Sequence, residues 1–174
     1  MGKELEAKVR VESHEPVRAR LTAVGAVRAG ASGQVNRFLD TADRRLLAAG
    51  CGLRLRTADN GAAVTFKGPF EQGPFKLREE LETEVGDASV LQGILERLGL
   101  QVTFEFHKRR ESWTLDGCHV ELDSVPGLGE FVEVEGPDEP AIRAVLGKLG
   151  LDALPVIKTG YVELLLAQRG AGGA

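Results

Sequence analysis

Glu4-Leu5-Glu6-Ala7-Lys8-Val9-Arg10-Val11 alternates charged and apolar residues without a break. A period of two is that of a β-strand, so this segment presents one charged face and one apolar face. The pattern returns in Leu53-Arg54-Leu55-Arg56, in Val64-Thr65-Phe66-Lys67 and in Phe131-Val132-Glu133-Val134-Glu135. It returns again from Lys76 to Glu84, where Lys76, Arg78, Glu80, Glu82 and Glu84 share one parity. Lys108 to Trp113 and Cys118 to Asp123 form a further pair, separated by Leu115-Asp116-Gly117, which reads as a hairpin with an Asp-Gly turn.

Two helices carry clear apolar stripes, Val90, Leu91, Ile94, Leu95 and Leu98 in one and Ile142, Val145, Leu146 and Leu149 in the other. Asp87 and Asp138 are the expected N-caps, Pro140 suits a first turn, and Gly99 and Gly150 suit the left-handed position at the C-terminus. A third helix is expected after Pro16, with Val17, Leu21 and Val24 on its apolar side. Laying Leu81–Leu100 over Val132–Leu151 matches Glu82 to Glu133, Glu84 to Glu135, Asp87 to Asp138 and Gly99 to Gly150. The N-terminal Glu4-x-Glu6 and its following helix look like a looser third copy. Repetition of one strand-then-helix unit favours a sheet closed on itself with helices outside.

A chain of 174 residues with 43% apolar content suits one domain, expected over 1–168, with 169–174 as a disordered tail. No signal peptide or membrane span is legible, which makes the cytoplasm the expected compartment. A net charge of -4 argues against a general nucleic-acid binder and leaves the basic residues to act locally. Cys51 and Cys118 read as reduced, buried thiols, since no second pair completes a zinc site. His14, His107 and His119 have no metal-ligand spacing and receive no catalytic role, while Trp113 and Tyr161 could stack on a base or a thiazolium-type ring but read first as packing on the barrel exterior.

On one strand face, Glu4 and Glu6 have Cα atoms about 6.6 Å apart, near enough for both carboxylates to approach one hard cation. A solvated face explains any single strand equally well. Closure changes the balance, because a barrel must put one parity inside and the other outside. With charges inside, the apolar parity packs against the helices, and the hydrophobic core lies outside the barrel. Arg and Lys would then meet phosphoryl oxygens while clustered Glu would meet a cation, and a metal-bound polyphosphate satisfies both. Without such a ligand, the interior charges are expected to repel one another.

These residues resemble the CYTH, or triphosphate tunnel metalloenzyme, superfamily. Glu4-Leu5-Glu6-Ala7-Lys8 is similar to its N-terminal ExExK motif, and further similarity lies in Phe38-Leu39-Asp40-Thr41, Gly52 to Arg56, Thr65-Phe66-Lys67-Gly68-Pro69 and Lys76 to Glu80. It continues in Leu122-Asp123, Pro126 to Glu135 and Lys158 to Leu165, so the resemblance runs from Lys3 to about Leu166. It implies an α+β fold, a closed eight-stranded antiparallel β-barrel forming the triphosphate tunnel, with helices packed outside. It also implies Mg2+ or Mn2+ held by Glu4, Glu6, Glu133 and Glu135, with Glu80, Glu82 and Asp123 as further ligands. Lys8, Arg54, Arg56, Lys67, Lys108, Arg110 and Lys158 would grip the phosphates, with Lys8, Arg56 and Lys67 as the catalytic set. Lys76 and Arg78 join the phosphate group or stay in water at a tunnel mouth, and Arg109 points outward.

The motifs Phe66-Lys67-Gly68-Pro69 and Pro126-Gly127-Leu128-Gly129 look most like the class IV adenylate cyclases. The implied reaction is ATP to cyclic AMP and pyrophosphate, a lyase reaction. An inorganic or thiamine triphosphatase, a hydrolase, stands as the alternative, followed by a non-catalytic polyphosphate-binding module. The expected partner is a small-molecule triphosphate (ATP, tripolyphosphate or thiamine triphosphate), with no nucleic acid and no membrane, in a monomer or homodimer.

Overall fold

The computed structural model describes residues 2–171. In chain order the elements are β1 Gly2–Val11, α1 Glu15–Ala23, β2 Val27–Thr41, α2 Arg45–Ala48, β3 Gly52–Ala58, β4 Gly61–Lys67 and β5 Lys76–Val85. They continue with α3 Ala88–Arg97, β6 Leu100–Leu115, β7 Cys118–Val125, β8 Gly129–Glu135, α4 Glu139–Leu149 and α5 Tyr161–Ala171. Hydrogen bonds join the strands in the closed order β1-β5-β4-β3-β2-β6-β7-β8, the eight-stranded antiparallel barrel that was expected. The repeated strand-helix units are β5 with α3 and β8 with α4, and β1 with α1 is the looser copy. Among the described residues no helix is long and apolar enough to cross a membrane.

The local signals act as their chemistry requires. Asp87 Oδ1 accepts from the backbone N–H groups of Ser89 and Val90, and Asp138 Oδ1 accepts from that of Ala141. Gly150 closes α4 in the left-handed region, at φ 64°. Asp116 and Gly117 both have positive φ, 52° and 77°, as a two-residue hairpin turn between β6 and β7 demands.

The chain sorts into two compact units. One comprises residues 5–31, 74–76 and 109–174. Its hydrophobic core lies outside the strands: Ala7, Val9, Val120, Leu122, Val132 and Val134 meet Val17 and Leu21 of α1 and Ile142, Val145, Leu146 and Leu149 of α4. Trp113 and Cys118 belong to this core, and His14 is buried with Nε2 2.9 Å from the Phe131 carbonyl oxygen.

The other unit comprises residues 1–4, 32–73 and 77–108. Here Leu39 and Leu55 are buried, but α3 buries none of its residues. Its stripe was expected to pack on the barrel; instead Val90 and Ile94 are half exposed and Leu98 is 74% exposed. The stripe is a real amphipathic face, and α3 is set against the barrel through contacts with β3.

Three features escaped the reading of the sequence. The first part of β2 passes through Gly30, Ser32, Gly33, Gln34 and Asn36, which carry no strand signal. Helix α2 is a single turn organised by Asp40, whose carboxylate accepts from the backbone N–H groups of Thr41, Leu46 and Leu47. Helix α5 extends to Ala171, into the tail expected to be disordered; the remainder of that tail lies outside the described residues. Of the two free thiols, Cys118 is buried as expected, whereas Cys51 is only partly so.

Candidate functional site

In the unit that carries β3 and β4, register fixes a basic wall. Arg54 faces Thr65 across β3 and β4, Thr65 faces Glu82 across β4 and β5, and Lys67 faces Glu80 one step along. Arg54 Nη2 donates to Thr65 Oγ1 at 3.0 Å and to Glu82 at 3.2 Å, and Arg56 Nη2 donates to the other Glu82 oxygen at 3.1 Å. Lys67 Nζ donates to Glu80 and lies 3.8 Å from Glu4 Oε2, while Arg78 Nε donates to the same Glu80 oxygen at 2.8 Å. Four cations therefore crowd against Glu4, Glu80 and Glu82.

The titration behaviour follows from that crowding. Burial and the guanidinium groups of Arg54 and Arg78 outweigh the attraction of Glu4 and Glu80, and Lys67 falls to about 7. Burial pushes Glu80 up, but a hydrogen bond with Glu4 and the charges of Lys67 and Arg78 prevail and bring it to about 2. Glu82 is likewise lowered, its hydrogen bond from Thr65 and the nearby Arg56 and Arg54 overcoming burial.

In the other unit a second cluster forms on β1, β7, β8 and the β6 end. Arg110 donates through Nε and Nη2 to the two oxygens of Asp123 at 2.7 and 2.6 Å, donates to Glu133, and lies 3.8 Å from Glu121. Burial works against its charge, yet Asp123, Glu133 and Glu121 raise its pKa well above the ordinary value. Lys8 is 1% exposed, stands opposite Glu133 in register, lies 3.4 Å from Glu133 and donates to the Thr159 carbonyl. Lys76 is buried and donates to Glu6 at 3.2 Å, so it is not in open water. Each of these cations has an acidic partner within reach, which offsets much of the expected mutual repulsion, while at Lys67 the repulsion from Arg54 and Arg78 persists.

Tyr161 is the residue that reasoning from sequence misplaced. Its hydroxyl donates to Asp123 Oδ2 at 3.0 Å, its ring lies 4.2 Å from Lys8 Nζ, and it packs edge-on against Phe131 at 5.2 Å. It belongs to the charged cluster and not to the exterior; burial and the charges of Glu133 and Asp123 raise its pKa well above 10. The only signal available was its place two residues after Thr159 in the Lys158 to Leu165 motif.

The remaining expected residues are placed less centrally. Lys108 is buried at the same strand parity as Arg110, and Arg109 is exposed, as expected. Glu135 stands opposite Glu6 and His119 in register, and Lys158 lies exposed in the irregular segment after α4.

All these acids offer oxygen, the donor that Mg2+ or Mn2+ takes. Glu121, Asp123 and Glu133 reach one guanidinium, so negative charge is already gathered about a single cationic group. Among the described residues no three acidic, His or Cys side chains form a finished metal site. The donor chemistry fits a divalent cation, whose ligation would require the ion pairs with Arg110 and Lys8 to give way.

Comparison with known proteins gives a consistent picture. The CYTH domain profile matches residues 2–153. A Methanocaldococcus jannaschii protein, provisionally named an adenylate cyclase, is 30% identical over 170 residues, covering 92% of this chain and 97% of its own. Among solved structures, a Pyrococcus horikoshii protein aligns at TM-score 0.80 and 27% identity, over 92% of this chain and 98% of its own. A Vibrio parahaemolyticus protein, also provisionally named an adenylate cyclase, aligns at TM-score 0.83 and 24% identity, over 94% and 97% of the two chains.

Proposed function

Since this chain belongs to the CYTH domain family, we propose that its barrel binds a triphosphate with a divalent cation and turns it over as a class IV adenylate cyclase-like enzyme. The observation that carries the reading is the crowding of Arg54, Arg56, Lys67 and Arg78 on one wall, where burial together with the charges of Arg54 and Arg78 brings Lys67 to about 7. Cations held this close are strongly stabilised by a chain of phosphoryl oxygens and are otherwise a cost to the fold.

In this reading Arg54 and Arg56 grip phosphoryl oxygens through planar forks, and Lys67 and Lys8 act as point charges. Arg78 joins that wall, and Lys76, Lys108, Arg110 and Lys158 are further candidate phosphate contacts. Asp123 and Glu133, with Glu4, Glu6, Glu80, Glu82 and Glu135 as further oxygen donors, would hold Mg2+ or Mn2+. When bound, that cation neutralises phosphoryl charge and polarises the phosphorus. The chain's own cations stabilise the charge that develops on the departing phosphate oxygens. In the cyclase register the ribose 3′ oxygen forms a bond to the α-phosphorus, the bond from that phosphorus to the pyrophosphate oxygen breaks, and the 3′ proton passes to solvent water. In a triphosphatase register a water oxygen forms a bond to the terminal phosphorus, the bond from that phosphorus to its bridging oxygen breaks with the diphosphate as leaving group, and the terminal phosphoryl group is released as orthophosphate. The gripping residues serve either register, and the adenylate cyclase name of the 30% identical relative favours the first.

The test is incubation of the purified chain with Mg2+ or Mn2+ and, separately, ATP, tripolyphosphate and thiamine triphosphate, with product identification. Cyclic AMP and pyrophosphate support the cyclase, and orthophosphate moves the assignment to the triphosphatase. No turnover of any of the three overturns the enzymatic reading.

A further inference from the structure

Strand β2 places two amide side chains on the face that carries the charged wall. Asn36 stands opposite Arg56 in register, and Gln34 stands opposite Ala58 one rung further along. Asn36 is 0% exposed and Gln34 is 7% exposed. Among the described residues, neither the oxygen nor the nitrogen of the Asn36 amide has a hydrogen-bond partner, and the Gln34 carbonyl oxygen also lacks one. Folded proteins pair nearly all such groups, because an unmade buried hydrogen bond is costly. Two adjacent exceptions on one strand face are most simply explained by a ligand that completes them.

The surroundings indicate its chemistry. Phe38, on the same face of β2, stacks on Phe106 with ring centroids 6.3 Å apart and an interplanar angle of 17°. Phe104 adjoins at 6.5 Å. Outward neighbours of these residues are paired with each other, since Arg37 Nε donates to Glu105 Oε2 at 2.7 Å, so alternation leaves the amides and the aromatic rings on the opposite face. Along the wall the rungs run in the order Lys67 with Gly52, then Thr65 with Arg54, then Ala63 with Arg56, which faces Asn36. The Asn36 rung is thus about 13 Å along the strand from Lys67, level with Arg56 at the far end of the row of cations that would hold a phosphate chain.

We propose that Asn36 and Gln34, beside the Phe38–Phe106 stack, form a subsite for a planar heteroaromatic ring that carries an adjacent hydrogen-bond donor and acceptor on its edge. This deepens the triphosphate reading above and rests on it: the substrate is a triphosphate ester of a ring-bearing alcohol, such as a nucleoside, and not inorganic tripolyphosphate. A carboxamide is self-complementary to such an edge, offering one N–H and one C=O side by side. The phenyl rings supply a stacking surface that tolerates any such ring.

The experiment compares the full chain with its Asn36→Leu and Gln34→Leu variants, titrated calorimetrically in EDTA so that no turnover occurs. ATP, GTP, CTP, thiamine triphosphate and tripolyphosphate are the probes. At least one ring-bearing triphosphate should lose tenfold or more in affinity in Asn36→Leu, while tripolyphosphate moves less than twofold; the probe with the largest loss identifies the ring. Both variants should melt at or above the temperature of the parent, because an unpaired buried polar group has been removed. Equal losses for all probes, or a parent that binds tripolyphosphate but no ring-bearing triphosphate, overturn the subsite and leave the triphosphate reading intact. A parent that binds none of the probes overturns both.

Discussion

Lys67 and Glu80 stand opposite each other in the register of β4 and β5 and share a buried ion pair, yet the lysine pKa is only about 7. Burial and two neighbouring guanidinium groups set that value, so the ammonium is retained only with difficulty at neutral pH. A base whose folded pKa is depressed below the ordinary 10.5 costs stability while charged. That cost is full below about pH 7 and is relieved as pH rises toward 10.5. A polyanion bound at the wall would raise the pKa again. Tripolyphosphate binding without metal should therefore take up close to one proton per site at pH 8 and almost none at pH 6. Calorimetry in buffers of different ionisation enthalpy measures this uptake, and Lys67→Met should abolish it. Zero uptake at pH 8 in the parent would remove the phosphate chain from Lys67.

Arg110 holds Asp123, Glu133 and Glu121 together, and Asp123 is 0% exposed. Replacing it by Met leaves buried carboxylates without their main partner, at a cost of about 3–5 kcal/mol. A divalent cation should recover part of that loss, because the same oxygens become available to it. Thermal melts of Arg110→Met with and without Mn2+ check this; the metal should raise the melting temperature of the variant more than that of the parent. Equal shifts in the two proteins would separate these carboxylates from the cation.

Arg56 and Lys8 distinguish binding from architecture. Arg56 is partly exposed and pairs only with Glu82 among its described ion-pair partners. Arg56→Ala should lower turnover by about a hundredfold while shifting the melting temperature by only a few degrees. Lys8 is buried among Glu133, Thr159 and Tyr161, so Lys8→Ala should lower both turnover and melting temperature. A Lys8→Ala variant as stable as the parent would show that Arg110 alone satisfies Glu133.

Asp40 organises α2 through three backbone N–H groups, and these hydrogen bonds lower its pKa below the ordinary 3.8 despite the opposing effect of burial. Its contribution to stability is present above pH 3.8 and is lost as pH falls through the lower folded value. Asp40→Ala should cost about 1–2 kcal/mol at neutral pH, as measured by urea unfolding, and the difference from the parent should narrow in acid. A penalty independent of pH would assign the effect to packing instead.

How much of this was legible in sequence depends on the range of the interactions involved. The alternation from Glu4 to Val11 and the matched Glu-x-Glu units identified the strands, the closure and the parity of Lys67, Arg54 and Arg56, because side-chain direction in a strand depends only on the count of residues. Caps at Asp87 and Asp138 and the Asp116-Gly117 turn were equally local. What tertiary structure alone decided were the partners: Arg110 between Asp123 and Glu133, Tyr161 beneath Lys8, the exposure of Leu98, and the unpaired amide of Asn36. Each depends on residues far apart in the chain meeting at one place, and on the low dielectric there that makes an ion pair strong and an unmade hydrogen bond costly. Local sequence encodes direction and period, whereas neighbours and burial exist only once the sheet has closed.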